Sequence, residues 1–412
     1  MTNKYRVENQ DFDAANLVGR NAETIKEHRK RIEPWLAAIL QSEHLNVLLG
    51  SGFSIALARA AGVTPAAMGM VPIEPSLDAL IQQRATTTAA AMGRGDANIE
   101  DQLRVALALA EGMSILNDGR TSPFKESLNK VIAKFGEGIA LMEKGMITTD
   151  FLDEENVERF EGLLRGFLLS FCARTSSRDR PHIFTTNYDR VIEYGFDLLG
   201  IHSIDRFVGS LSPRFRSSRQ DADMVVSSPG RGEVRPMEGV TRLTKLHGSI
   251  DWLSQNGEIV RQPQPFGVGP NLSGGPGDSL MIYPNSAKDI ETAFYPYAEL
   301  FRDFSASLCR PNAALVTYGY GFGDDHINRI LKDMLTVPST HLVIISYDDP
   351  GGRIERFISK SGKSAQISLL IGPDLSALDQ LVNHYLPKPA IDLITQRKAD
   401  LVSRRGTEAF AE

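Results

Sequence analysis

Short apolar runs that stop at glycine or at a small polar cluster recur along this chain. Leu45–Leu49 runs into Gly50, His182–Thr185 into Thr186-Asn187, and Ala313–Tyr318 into Gly319-Tyr320-Gly321. His341–Ser346 and Ile367–Ile371 are similar, Leu280–Tyr283 is shorter, and Thr241–Leu246 alternates apolar and polar positions before His247. Runs of this length bounded by turn residues predict buried β-strands. Between them the apolar period lengthens to that of a helix, over Ser54–Ala61, Asp189–Leu199, Ala298–Leu308 and, capped by Asp324-Asp325, on to about Leu335. Strand and helix in alternation predict the α/β class, with a Rossmann-like parallel sheet.

Other stretches break the pattern. Residues 1 to about 30 are polar and read as an arm leading into a helix with Ile32, Trp35, Leu36, Ile39 and Leu40 on one face. From 64 to 171 the chain is rich in Ala, Leu, Met and Glu. Leu103, Val105, Leu107 and Leu109, then Phe160, Leu163, Leu164, Phe167, Leu168 and Phe171, read as helices inserted into the α/β domain. Asn98 to Asp101 opens one of them, and the carboxylates of Glu100 and Asp101 suit its first turn, so capping is favoured over a ligand-facing role. Residues 205–239, with six arginines including Arg206 and Arg219, read as a solvated loop, and Gly257–Gly277 as a lid or exposed loop. From Leu375 the chain reads as a helix fraying into the charged tail at Arg404-Arg405-Gly406. The expected organisation is an N-terminal arm and helix (1–40), a Rossmann-like α/β domain (41–375) carrying the helical insertion (64–171), and a C-terminal helix and tail (376–412).

Composition narrows the class without naming an activity. The chain has 412 residues, 42% hydrophobic and 23% charged, which is ordinary for a globular protein with a large core. A formal net charge of −6 speaks against direct nucleic-acid binding. Two cysteines, Cys172 and Cys309, sit in apolar surroundings and are expected to be reduced core residues. Two cysteines exclude a four-cysteine zinc site within one chain, and no His, Cys and Asp set has ligand spacing, so no metal is expected. No stretch has the ~20 apolar residues a membrane-spanning helix needs, and the first twenty residues lack the apolar core of a signal peptide. A cytoplasmic protein with no membrane contact is the expectation.

Candidate chemistry collects at the strand ends, where a parallel sheet presents ligand-contacting side chains. Asn187 and Asp189 fall at one strand-to-helix junction and His247 at the end of another strand. Gly50-Ser51-Gly52 follows a strand and precedes a helix, the arrangement that aims backbone N–H groups at a pyrophosphate. The third glycine of that fingerprint is replaced by Ile55, and a structural glycine turn is an equal reading. Asp348, just past a strand, suits either an adenosine ribose or a turn.

Gly50-Ser51-Gly52-Phe53-Ser54, Thr185-Thr186-Asn187-Tyr188-Asp189, Leu246-His247-Gly248 and Gly319-Tyr320-Gly321 stand in the order and spacing of the sirtuin superfamily, which the chain resembles over about residues 40–62 and 180–375. It is more similar to the bacterial sirtuin-like proteins of anti-phage defence than to the protein deacetylases. The deacetylases' zinc ribbon is missing, and Val63-Thr64-Pro65 replaces their Asp-Phe-Arg segment. In length and layout it resembles the subunit that partners a HerA-type ATPase. The resemblance implies an oligomeric enzyme that hydrolyses NAD when infection is sensed. It casts Asn187 as holding a ribose hydroxyl and the attacking water, and His247 as general base. Asp189 hydrogen-bonds the ribose, steadies Asn187 or caps the helix that begins there. Gly50, Ser51, Gly52 and Ser54 would cradle the pyrophosphate, with Thr186 beside them. Phe53 would cover the nicotinamide ribose or pack the turn, and Gly319 and Gly321 would admit the adenosine half. The alternatives are a protein deacylase or ADP-ribosyltransferase, and a non-catalytic subunit that senses NAD or ADP-ribose.

Overall fold

The computed structural model describes residues 3–17, 21–91, 95–148, 154–174, 178–219, 222–227, 234–255, 257–271, 279–282 and 295–388. The apolar runs form a nine-stranded sheet. In chain order its strands are β1 (Lys4–Val7), β2 (Gln10–Asp13), β3 (His44–Leu49), β4 (His182–Thr185), β5 (His202–Ile204), β10 (Val240–Lys245), β14 (Ala313–Tyr318), β15 (His341–Ser346) and β16 (Ile367–Ile371). The intervening β6 (Phe207–Val208), β7 (Arg214–Phe215), β11 (Gly248–Gln255), β12 (Glu258–Arg261) and β13 (Ser279–Ile282) make a second, five-stranded sheet, and β8 (Val225–Ser227) and β9 (Val234–Pro236) a hairpin.

The large sheet runs β2-β1-β16-β15-β14-β3-β4-β10-β5, parallel throughout except at β1, which pairs antiparallel with β16 and β2. From β3 the chain builds outward through β4 to β5 and β10, then crosses back to lay β14 on the other side of β3. The carboxyl ends of β3 and β14 are therefore the topological switch point, where such sheets open a ligand crevice. The polar arm expected before the first helix is instead the β1–β2 hairpin. Tyr5 and Val7 are buried while Gln10 and Asp11 are exposed, so the short alternation escapes a search for apolar runs.

Both faces of the sheet are covered, which is why its strands read as continuous apolar runs. Val47, Val316, Val343 and Ile345 face one core, with α1 (Ala22–Leu40), α2 (Ser51–Ala60) and helices α3 (Asp78–Ala91), α4 (Ile99–Ile115), α5 (Thr121–Ile147), α6 (Glu154–Cys172) and α7 (Val191–Leu199). Leu48, Leu315, Leu342 and Ile344 face the other, with α8 (Tyr297–Leu308), α9 (Asp325–Met334), α10 (Arg353–Ser361) and the second sheet.

Three expectations are corrected here. The buried stripe of α4 is Ile99, Gln102, Leu103, Ala106, Ala110 and Met113, because spacing of three and four, not two, puts residues on one helical face; Val105, Leu107 and Leu109 are only half-buried. Arg206 is not solvated: it is buried and paired in two hydrogen bonds of 2.7 Å with Asp303. Part of Gly257–Gly277 is also built in, as β12 and as a segment docked on α5 through the Gly267 N–H and Glu143 (3.1 Å). The tail beyond residue 388 lies outside the described residues, and short helical turns over Pro373–Ser376, Leu378–Gln380 and Leu381–Tyr385 precede it. Among the described residues no helix is long and apolar enough to cross a membrane.

Candidate functional site

A cleft of about 390 Å³ opens at the switch point. Its sheet-side wall comes from the carboxyl ends of β3, β4, β10 and β14: Gly50, Ser51 and Ser54, then Thr186 to Asp189, His247, and Tyr320, Gly321, Gly323 and Asp324. Asn187 and His247, about sixty residues apart in sequence, thus share one cavity.

The turn after β4 is fixed by short polar bonds. The Asn187 N–H donates to Thr185 Oγ1 (3.0 Å), and the Asn187 side-chain Nδ2 donates to the Gly50 carbonyl (3.0 Å) and to Ser54 Oγ (2.8 Å). Those partners identify the nitrogen, since a backbone carbonyl only accepts. With both amide hydrogens committed, Asn187 keeps Oδ1 as its acceptor; it does not both donate and accept toward a ligand. Ser54 Oγ donates onward to Asp189 Oδ2 (2.6 Å), whose other oxygen accepts from the Val191 N–H (3.2 Å). Asp189 therefore caps α7 and steadies Ser54. From β10, the buried Lys245 ammonium donates to the Asp189 carbonyl and to Glu193 Oε1 (3.0 Å). The Ile250 N–H and Ser249 Oγ both donate to the Tyr188 carbonyl (3.1 and 3.2 Å).

His247 is buried, with Nε2 3.1 Å from Asp324 Oδ2. A carboxylate only accepts, so this bond puts a proton on Nε2. Asp324 also N-caps α9, its Oδ1 accepting from the His326 N–H (3.0 Å). The helix start and the imidazole tautomer are thereby set by one carboxylate. Sequence reasoning took Asp324 for a cap alone and missed this; its place after Gly319-Tyr320-Gly321 was the available signal.

The glycine turn differs from the expected phosphate cradle. α2 begins at Ser51 rather than Ser54, and Gly50 is extended (φ −100°, ψ −176°), so no positive φ is needed there. The Gly50 and Gly52 N–H groups are taken by the carbonyls of Tyr318 (3.0 Å) and Gly319 (3.1 Å). A Cβ on Gly50 or Gly52 would lie 2.5 Å or 2.7 Å from Gly319 atoms. These glycines, with Gly319 at φ +62°, let two strand-end turns touch; neither Gly52 nor Gly319 lines the cleft. Ser51, exposed at the helix N-terminus, is what this turn offers an anion.

Phe53 does not reach the cleft. Starting at Ser51, the helix turns Phe53, Leu57 and Ala60 inward, and the fully buried Phe53 ring packs 4.8 Å from that of Phe167. Asp348 is half-buried and also outside the cleft, while Asp349 caps α10 by accepting from the Ile354 and Glu355 N–H groups (2.8 and 3.2 Å). Gly321 does line the cleft, next to Arg353, whose Nε donates to the Gly321 carbonyl (2.7 Å). Arg353 is the cleft's only arginine or lysine among the described residues; a lone arginine after two glycines carried no signal in the sequence.

The opposite wall is built by the long helical stretch after α2. Phe135, Ile139 and Met142 of α5 present apolar surface, with Met68, and the start of α4 presents Asn98, Glu100 and Asp101. Asn98 and Asp101 form a reciprocal capping box, while Glu100 Oε1 accepts from the Tyr188 hydroxyl (2.8 Å), so capping and facing the cleft coexist at this helix start. A buried ion pair fastens α5 to the turn after β4: Glu143 accepts from the Arg190 N–H (2.6 Å) and from its guanidinium (2.5 Å). Burial pushes the Glu143 carboxyl's pKa up, and the contact with Arg190 opposes that.

The arrangement offers a hydrogen-bond acceptor, an imidazole with a carboxylate partner, an arginine and a helix N-terminus around a cavity walled on one side by α5. Among the described residues no group of three or more His, Cys, Asp or Glu side chains is placed to hold a metal ion. A search of curated proteins finds no match to the chain. Residues 181–365, a little under half of the chain, match the family model of the SIR2-like domain. The matched span carries Asn187, Asp189, His247, Asp324 and Arg353, and it supports a sirtuin-like family, in general one of NAD-dependent enzymes.

Proposed function

We propose that the cleft hydrolyses NAD+ to nicotinamide and ADP-ribose. The observation that carries this reading is that Asn187 and the His247–Asp324 pair line one cavity at the switch point of a sirtuin-type sheet. The bond between the nicotinamide nitrogen and ribose C1′ breaks, its electron pair leaving on a neutral nicotinamide. Water attacks C1′ through an oxocarbenium-like transition state, as in glycoside hydrolysis. Asn187 Oδ1 accepts from the water or a ribose hydroxyl, and His247 Nδ1 takes the water's proton, its imidazolium stabilised by Asp324. Arg353 and the N-terminus of α2 at Ser51 suit the pyrophosphate. Phe135, Ile139 and Met142 suit the water-excluding role that the deacetylases' missing segment would otherwise fill.

The resemblance of Thr185–Asp189 and Gly319–Asp325 to the defence proteins extends the proposal to an oligomer that depletes NAD+ in anti-phage defence with a HerA-type ATPase partner. Incubating the protein with NAD+, partner present and absent, and resolving products by chromatography tests it. Nicotinamide and ADP-ribose in equal amounts, without any protein acceptor, are expected. NAD+ bound in both conditions but released intact would leave only a sensing role.

A further inference from the structure

A second cavity, of about 440 Å³, lies away from the cleft between α8, strands β4 and β10, and the second sheet. Its size is that of a small-molecule site. In a chain of net charge −6, its lining includes six arginines against four aspartates, the Lys245 ammonium being turned away to Glu193. All four carboxylates are already engaged: Asp303 by Arg206 (2.7 Å), Asp223 by Arg180 (3.0 Å), Asp179 by Arg310 (3.2 Å) and Asp205 by Arg261. Among the described residues, Arg178 donates to the Gln41 carbonyl without an ion pair, and the exposed Arg219 makes no ion pair. The Arg178 and Arg219 charges are thus left at the rim without an ion-pair partner among the described residues.

His182 on β4 registers the same field from within. Its ring nitrogens are satisfied by Ser307 Oγ (3.1 Å) and Thr244 Oγ1 (2.8 Å). Burial first, then Arg242, Arg310 and Arg206, hold its pKa well below the ordinary range. The inner wall has a different character. Phe207, Phe215 and Trp252 pack together there, with Phe207 and Trp252 ring centroids 4.9 Å apart.

From this pairing of an arginine rim with an aromatic wall we infer that the cavity is a second ligand site, for a mononucleotide. The phosphate meets the guanidinium groups, which fork onto phosphate oxygens, and the base lies against the aromatic wall. The inference does not rest on the chemistry of the cleft.

The chain has two tryptophans, and Trp35 lies on α1, so Trp35→Phe leaves Trp252 as a reporter inside this cavity. AMP, GMP, CMP, UMP, adenosine and inorganic phosphate are each titrated against its emission. A saturable change is expected with at least one nucleotide, with adenosine and phosphate both weaker. Adding Arg219→Glu, an exposed position that leaves folding intact by circular dichroism, should weaken that nucleotide about tenfold or more. Adding Asn187→Ala in the cleft should leave it unchanged. The inference is overturned if no nucleotide gives a saturable change, if phosphate alone binds as tightly, if Arg219→Glu binds equally well, or if Asn187→Ala abolishes the signal.

Discussion

The two walls of the cleft are made by different means. The sheet side places small polar groups at strand ends and fixes them by hydrogen bonds, as Asn187 is fixed to Gly50, the 188–189 turn to Lys245 and His247 to Asp324. The α4–α5 side presents apolar surface that packing alone positions, and it meets the sheet side at two polar joints, Glu143 with Arg190 and Glu100 with Tyr188. One wall carries the groups proposed to react and the other faces them. Arg190 follows Asp189 directly, so a shift of α5 is felt at once by the turn that holds Asn187.

Substitutions on the two sides should separate these contributions. The largest effect is expected from His247→Ala on the sheet side, a ~10²–10⁴-fold loss of nicotinamide release with circular dichroism unchanged. Near-normal turnover by a folded variant would remove the base role. Next comes Glu143→Ala, which strands a buried guanidinium and should cost about 3–5 kcal/mol in urea unfolding. A loss below about 1 kcal/mol would show that the joint does not hold the walls together.

Histidine protonation should act on the sheet side, because residues 64–171 contain no histidine. Burial lowers the pKa of His182 and of His341, so each refuses in the folded state a proton that the unfolded chain accepts near pH 6.5. Stability is then fully present above about pH 6.5 and falls below it, by up to about 1.4 kcal/mol per pH unit for each group, until the depressed folded value is reached. Unfolding followed from pH 7.5 to 5.5 checks this, and a flat profile would contradict it. The smallest effect belongs to Tyr188→Phe, which deletes the bond to Glu100 for about 0.5–1.5 kcal/mol of stability. A thermal melt would detect it, and a much larger loss would mean that this joint, not Glu143, dominates.

Most of the sheet was legible because both its faces are covered, which leaves strands such as Ala313–Tyr318 and His341–Ser346 as unbroken apolar runs with the observed bounds. The β1–β2 hairpin was not, since strands of four polar-rich residues carry too little alternation. The site divides similarly. Asn187 and His247 stand out as polar residues where apolar runs end. Arg353 and the second role of Asp324 depend on which strand ends meet, a fact of topology that no local pattern records. Gly50 and Gly52 stood out, but the sequence left a structural turn and a phosphate cradle as equal readings: a glycine needed by a neighbouring turn and one needed by a ligand look alike until Gly319 is seen against them.

That three-glycine contact makes the width of the crevice adjustable by a single carbon. An alanine methyl at position 52 would meet the Gly319 Cα at 2.7 Å and must wedge the β3 and β14 turns apart, while altering no charge, donor or acceptor. Gly52→Ala is thus a spacer inserted beneath the reaction geometry, and graded spacers at this point would measure in tenths of an ångström how much misalignment the chemistry tolerates.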